Sequence, residues 1–200
     1  LGQLLELTAL ENGQVTPKFQ ACLLSNLLQE LQQTFAPRAK SKSIELDFVD
    51  KQQLTISTDP QLLQRVLNNL IDNAIRYTPE RGKISIATMT ADNDKVWLQV
   101  SDNGSGMHKH ELLALKQLNQ RTLDITGEQS ALPQLGIGLA MVRQLLTLHG
   151  CGIDIDSTPG KGSQFRLELK PVKTVSGAPS NDKAESSSQN PLTTETIKAQ

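Results

Sequence analysis

The chain has 200 residues, room for one ordinary domain with some excess, and a domain of about 150 residues buries roughly 70% of its unfolded surface. Twenty Lys and Arg against 21 Asp and Glu leave a formal charge of -1, and aromatic residues make up 3%. No basic field or stacking surface therefore draws this chain to nucleic acid or to an anionic membrane. Cys22 and Cys151 stand apart, with no CxxC and no His at zinc-ligand spacing, so neither a disulfide framework nor a zinc site is supported. No apolar run approaches the ~20 residues that span a bilayer, and the chain reads as soluble and cytoplasmic.

In chain order, LGQLLELTALE (1–11) spaces its leucines as a helix does and stops at Asn12-Gly13, reading as the end of a helix begun upstream. A short extended piece around Phe19 precedes a predicted helix over Leu24–Ala39. Ile44–Val49 and Leu54–Ser57 have strand composition. Asp59-Pro60 supplies an N-cap and a first-turn proline for a helix running to Tyr77, ended by Thr78-Pro79. Lys83–Thr90 and Lys95–Val100 are predicted strands across a polar turn. His110–Leu118 suggests a short helix, and 119–135 is polar and poorly periodic. Gly138–His149 reads as a further helix, stopped by Gly150, and Gly152–Asp156 with Ser163–Leu169 as a last strand pair around Thr158–Gly162. From Pro171 the composition turns to Ser, Thr, Asn, Gln, Lys and Glu, too poor in large apolar residues to offset the entropy of ordering, which reads as a disordered tail or linker over 171–200. The order predicts an α/β (α+β) two-layer sandwich with a mixed, mainly antiparallel sheet covered on one face by helices.

Three segments carry candidate chemistry. On the helix ending at Tyr77, Leu63, Val66, Leu67, Leu70 and Ala74 share the side facing the sheet, while Asn69 and Asn73, four apart, line its border with Arg76 and Tyr77 a turn on. Amide oxygens suit a hard cation such as Mg²⁺, and an Arg nearby suits the phosphates it bridges; read alone, the same residues also suit a solvent-facing helix side. Asp102-Asn103-Gly104-Ser105-Gly106 ends a strand. Its carboxylate can accept from an exocyclic amino group such as adenine N6 and its glycines let backbone approach a flat base, although a plain hairpin turn has the same composition. Gly136-Ile137-Gly138-Leu139 opens a helix, where free N–H groups favour anions, and flexible loop glycines are the alternative. Thr158-Pro159-Gly160-Lys161-Gly162-Ser163 reads as a hairpin turn rather than a ligand contact.

In order and spacing, NNLIDNAIRYTP, DNGSG, GIGLAMV and TPGKGSQFRLEL resemble the N box and glycine boxes of the histidine-kinase catalytic domain, within the GHKL ATP-binding superfamily. The resemblance covers roughly 14–170 and implies a Bergerat-type sandwich that binds ATP and Mg²⁺. It implies Mg²⁺-ATP binding at Asn69 and Asn73, with Asn69 catalytic and Asn73 a metal ligand. It further implies phosphate or ribose contacts at Arg76 and Tyr77, adenine recognition by Asp102 between Gly104 and Gly106, and phosphate contacts at Gly136, Gly138 and Leu139 beneath a lid of about 107–135. The chain departs from the family where Phe residues usually open the lid, having Leu112 and Leu115, and where a glycine usually stands, having Gln134. Lys116 or Arg121 could supply a cation to the γ-phosphate, but a solvated lid charge is the preferred reading of both.

Relatives in the superfamily that hydrolyse ATP carry a Glu base one turn before the magnesium-binding Asn. Here Asn69 occupies that position and has no useful basicity, which favours phosphoryl transfer by positioning and charge neutralisation. None of His108, His110 and His149 has the Glu or Asp neighbour within a long helix that the family's phosphoacceptor shows, and all three are expected in surface or capping roles. Residues 1–13 are then the end of a dimerisation and phosphoacceptor helix whose histidine lies upstream. A response regulator and a homodimeric, membrane-anchored parent are the implied context, and a non-catalytic ATP-sensing module or a GHKL ATPase are the alternatives.

Overall fold

The computed structural model describes residues 15–50, 53–91, 95–118 and 137–172. The expected helix at 1–11, the polar segment 119–135 with Arg121 and Gln134, Gly136, and the tail from 173 lie outside the described residues. The elements are β1 (Gln20–Leu23), α1 (Leu24–Ser41), β2 (Glu45–Val49), β3 (Thr55–Thr58), α2 (Pro60–Tyr77), β4 (Lys83–Ala91), β5 (Lys95–Asp102), α3 (Lys109–Leu118), α4 (Ile137–His149), β6 (Ile153–Thr158) and β7 (Gly162–Leu169).

Five strands form one sheet in the order β2-β4-β5-β7-β6. β2 runs parallel to β4, and the other neighbours are antiparallel. The predicted mixed, mainly antiparallel sheet is present, but its two early strands separate. β3 leaves the main sheet and pairs with β1, the extended piece near Phe19. The residues after β7 lie on β3's other side, where Pro171 bridges Ile56 and Val172 N–H donates to the Thr55 carbonyl.

The period of two in the strands decides which face is covered. Ile84, Ile86, Val96, Leu98, Val100, Phe165, Leu167 and Leu169 are buried and face the helices. α2 lies on β5, and α1 and α4 pack against α2. The α2 side predicted from Leu63, Val66, Leu67, Leu70 and Ala74 is buried, and Leu62, Ile71 and Ile75 widen it. Each Leu, Ile or Val among them is worth about 1.5–3 kcal/mol when removed from water.

Both ends of α2 are finished by side chains. Asp59 is the N-cap, its Oδ1 accepting from the Gln61 and Leu62 N–H groups at 3.0 and 3.1 Å, ahead of Pro60. Lys42 Nζ donates to the Ile75 and Thr78 carbonyls at 2.6 and 3.1 Å, so a cation meets the negative end of the helix.

Candidate functional site

α2 is the element along which the candidate residues gather. Asn69 and Asn73 are half-buried on its flank. Asn69 Nδ2 donates to the Arg65 carbonyl at 2.9 Å and contacts Met141 Sδ at 3.6 Å. The same amide turns its Oδ1 toward α4: a Cβ added at Gly138 would sit 3.1 Å from it and 3.9 Å from Asn73 Nδ2. Gly138 thus lets the first turn of α4 close onto the two amides. Leu139 follows, partly buried against the core. Asn69, Asn73, Gly138 and Leu139 are therefore together, whereas Gly136 is outside the described residues. Arg76 and Tyr77, in the last turn of α2, are exposed, Tyr77 by 57%.

The loop after β5 is held against that last turn. Ser105 N–H donates to the Tyr77 carbonyl at 3.1 Å, and a Cβ on Gly104 would stand 2.5 Å from the same oxygen. Asp102 Oδ1 accepts from Gly104 N–H at 2.8 Å. Burial pushes the Asp102 carboxyl above its ordinary range, and the N–H groups of Gly104 and Ser163 pull back part of that rise. Asn103 faces away from this site, its Oδ1 accepting from Lys83 N–H at 2.7 Å.

The β6–β7 turn, expected to be a hairpin only, is one, yet it also forms the floor of the loop. Gly160 N–H donates to the Ser105 carbonyl at 2.7 Å. Gly106, at φ 63°, lies directly over the Thr158 carbonyl, and Gly162, at φ 101°, over the Asp102 carbonyl. Any Cβ at either position would overlap that backbone. Spacing within TPGKGS signals the turn, but only the β5–β7 register shows that its last glycine lies against Asp102.

The histidines divide. His108 and His110 are exposed and stack at 5.7 Å, and Glu111 Oε2 reaches back to His108 N–H at the start of α3. His149 is 4% exposed, and its Nε2 accepts from Asp59 N–H at 2.9 Å. The expected capping role is found there, at the start of a helix 90 residues earlier in the chain. Lys116 at the end of α3 is exposed, as expected of a solvated charge. Among the described residues, no three His, Cys, Asp or Glu side chains gather as a metal cluster, and no helix is long and apolar enough to cross a membrane.

This mixed sheet, with α2 and α4 on one face and the Asp102 loop held against the end of α2, is the α+β sandwich fold also found in histidine-kinase ATP-binding domains. The chain belongs to the family described as histidine kinase-, DNA gyrase B-, and HSP90-like ATPase, whose model matches residues 58–173. It is 34% identical over 148 residues to the adaptive-response sensory kinase SasA of Synechococcus elongatus, covering 74% of this chain and 36% of that protein. It is 30% identical over 188 residues to the circadian input-output histidine kinase CikA of the same organism, covering 91% of this chain and 24% of that protein. The chain thus spans about a quarter to a third of the length of these relatives. Full-length ShkA, solved in complex with AMPPNP, shares the fold with a TM-score of 0.68 at 24% identity, over 85% of this chain and 35% of that one.

Proposed function

We propose that this chain is the phosphate-donor half of a sensor histidine kinase. It binds Mg²⁺-ATP along α2 and transfers the γ-phosphoryl group to a histidine on a dimerisation domain outside the chain. The observation that carries this reading is the polar strip on α2. From Asn69 to Tyr77 it spans about 12 Å at 1.5 Å per residue, with paired amides at one end and the Asp102 loop at the other. Such a strip takes a purine at the Asp102 end and a triphosphate at the Asn69 end.

Asp102 then accepts from adenine N6, with Gly104 and Gly106 flanking the base. Arg76 and Tyr77, exposed beside the loop, reach ribose and phosphate. Gly138, Leu139 and Gly136 present N–H groups to phosphate oxygens at the head of α4. The donor set fits Mg²⁺: Asn69 Oδ1 is turned into the strip, and Asn73 would hold the ion beside it through its own amide oxygen. When bound, Mg²⁺ neutralises phosphate charge. With an amide at Asn69 and no carboxylate there, water is not activated, which supports transfer to an imidazole over hydrolysis. The wider reading is a lid at 107–135, a homodimeric, membrane-anchored parent with this portion in the cytoplasm, and a response regulator downstream.

Two measurements test it. Calorimetry should detect ATP binding that Asp102→Asn weakens by about tenfold or more, the scale of a lost charged hydrogen bond. The fragment, mixed with the phosphoacceptor hairpin of its own parent, should move label from γ-labelled ATP to a histidine. Binding without transfer would sink the kinase reading, and steady phosphate release by the fragment alone would replace it with an ATPase.

A further inference from the structure

Strand alternation puts Asp102, Ser163 and Ser157 on the helix-covered face, in one row across three strands. Asp102 pairs with Ser163, and Ser163 with Ser157. The buried residues two positions away, Val100, Phe165 and Ile155, mark that face. Ser163 N–H donates to the Asp102 carboxylate, and Ser163 Oγ lies 3.0 Å from Ser157 Oγ. Ser157 Oγ also accepts from Met107 N–H at 2.9 Å and reaches the Gly162 carbonyl at 3.0 Å.

A serine hydroxyl has one hydrogen to give. The Gly162 carbonyl can only accept, so the Ser157 hydrogen goes there. The remaining capacity of Ser157 Oγ then takes Met107 N–H and the hydroxyl hydrogen of Ser163. Ser163 is left with its one hydrogen committed toward β6, so what remains free on its hydroxyl is lone pairs only. The ledge formed by Asp102 and Ser163 consequently offers acceptors only. A purine 6-amino group, with two hydrogens, matches such a ledge, and a 6-oxo group meets oxygen against oxygen.

We propose that Ser157 is a positioning residue for base selection: by spending its one hydrogen on Gly162 it fixes the Ser163 hydroxyl as an acceptor beside Asp102 and excludes 6-oxopurines. This inference rests on the reading of Asp102 as the base-recognising acid. Ser157 touches no nucleotide itself, and its effect is carried by the polarity of its neighbour. Without it, Ser163 rotates, donates to a 6-oxo group and accepts the wrong base.

The test compares affinities for ATP and inosine triphosphate in Ser157→Val and Ser157→Thr, two β-branched side chains suited to a strand that differ by a methyl against a hydroxyl. Ser157→Thr should retain the wild-type preference for ATP, and Ser157→Val should lose it by about fivefold to tenfold, the scale of one hydrogen bond gained by the wrong base. Equal preference in the two variants overturns the proposal while leaving the ATP site standing. Wild-type protein that does not distinguish the two nucleotides overturns the site reading, and this inference with it. Should Ser157→Val fail to fold, Ser163→Ala removes the oriented hydroxyl directly, and an unchanged preference there overturns the proposal equally.

Discussion

Single residues in this protein act through what their size permits as much as through their chemistry. Gly162 is the clearest case. It combines a left-handed backbone with contact against the Asp102 carbonyl, so Gly162→Ala brings both strain and overlap. A loss of about 3 kcal/mol or more in urea unfolding is expected, and calorimetry should find ATP affinity reduced with it, because β7 can no longer lie beside the recognition loop. Most candidate residues were legible in the sequence because they are local: Asn69 and Asn73 are one helical turn apart, and Asp102, Gly104 and Gly106 alternate along one loop. Ser157 and the second role of Gly162 were not legible. Their partners are set by cross-strand register, and β7 lies between β5 and β6 out of chain order.

Among the elements, α2 shows how far a helix terminus reaches. Asp59-Pro60 announced its start, and the cap is where that dipeptide put it. Its support from His149 arises only when α4 packs alongside α2, and no pattern within either helix encodes that contact. The contact is sensitive to pH. Nε2 accepts from Asp59 N–H, so the ring is neutral with its hydrogen on Nδ1, 3.2 Å from Cys151 Sγ. Burial lowers the His149 pKa, and the nearby Asp59 opposes this only in part. The unfolded chain therefore binds this proton more readily than the folded one. The stability from His149 is complete above the unfolded histidine pKa of about 6.5 and declines as pH falls below it, by at most about 1.4 kcal/mol per pH unit. Urea midpoints should drop between about pH 7 and pH 5, and His149→Gln, which keeps an acceptor but does not titrate there, should flatten that slope. Asp59 acts in a lower window. Burial opposes its charge, but the N–H groups of Lys18, Leu62 and Gln61 prevail and hold its carboxyl below the ordinary value. Its contribution is lost only as pH falls from that ordinary value through the depressed one.

At the scale of the whole molecule, one apolar cluster joins α1, α2, α4 and the main sheet, with Leu67 and Leu98 fully buried within it. Unfolding should accordingly be a single cooperative event. Fluorescence of Trp97 on β5 and helical circular dichroism should give coincident urea transitions, and Leu67→Ala should shift both together by about 2–5 kcal/mol. The layer arrangement followed from element order and amphipathic faces. The strand order did not, because only tertiary packing decides that β2 joins β4 while β3 leaves for β1. That departure also has a mechanical consequence. β1 and residues 170–172 flank β3 on opposite sides, both antiparallel to it, about 10 Å apart at ordinary strand spacing. They run in the same direction, so tension between a segment before β1 and one after Val172 pulls the two flanks oppositely along β3. Its hydrogen bonds are loaded together in shear and do not unzip in succession, which makes this short strand the tether through which a tug on either side of the domain is borne.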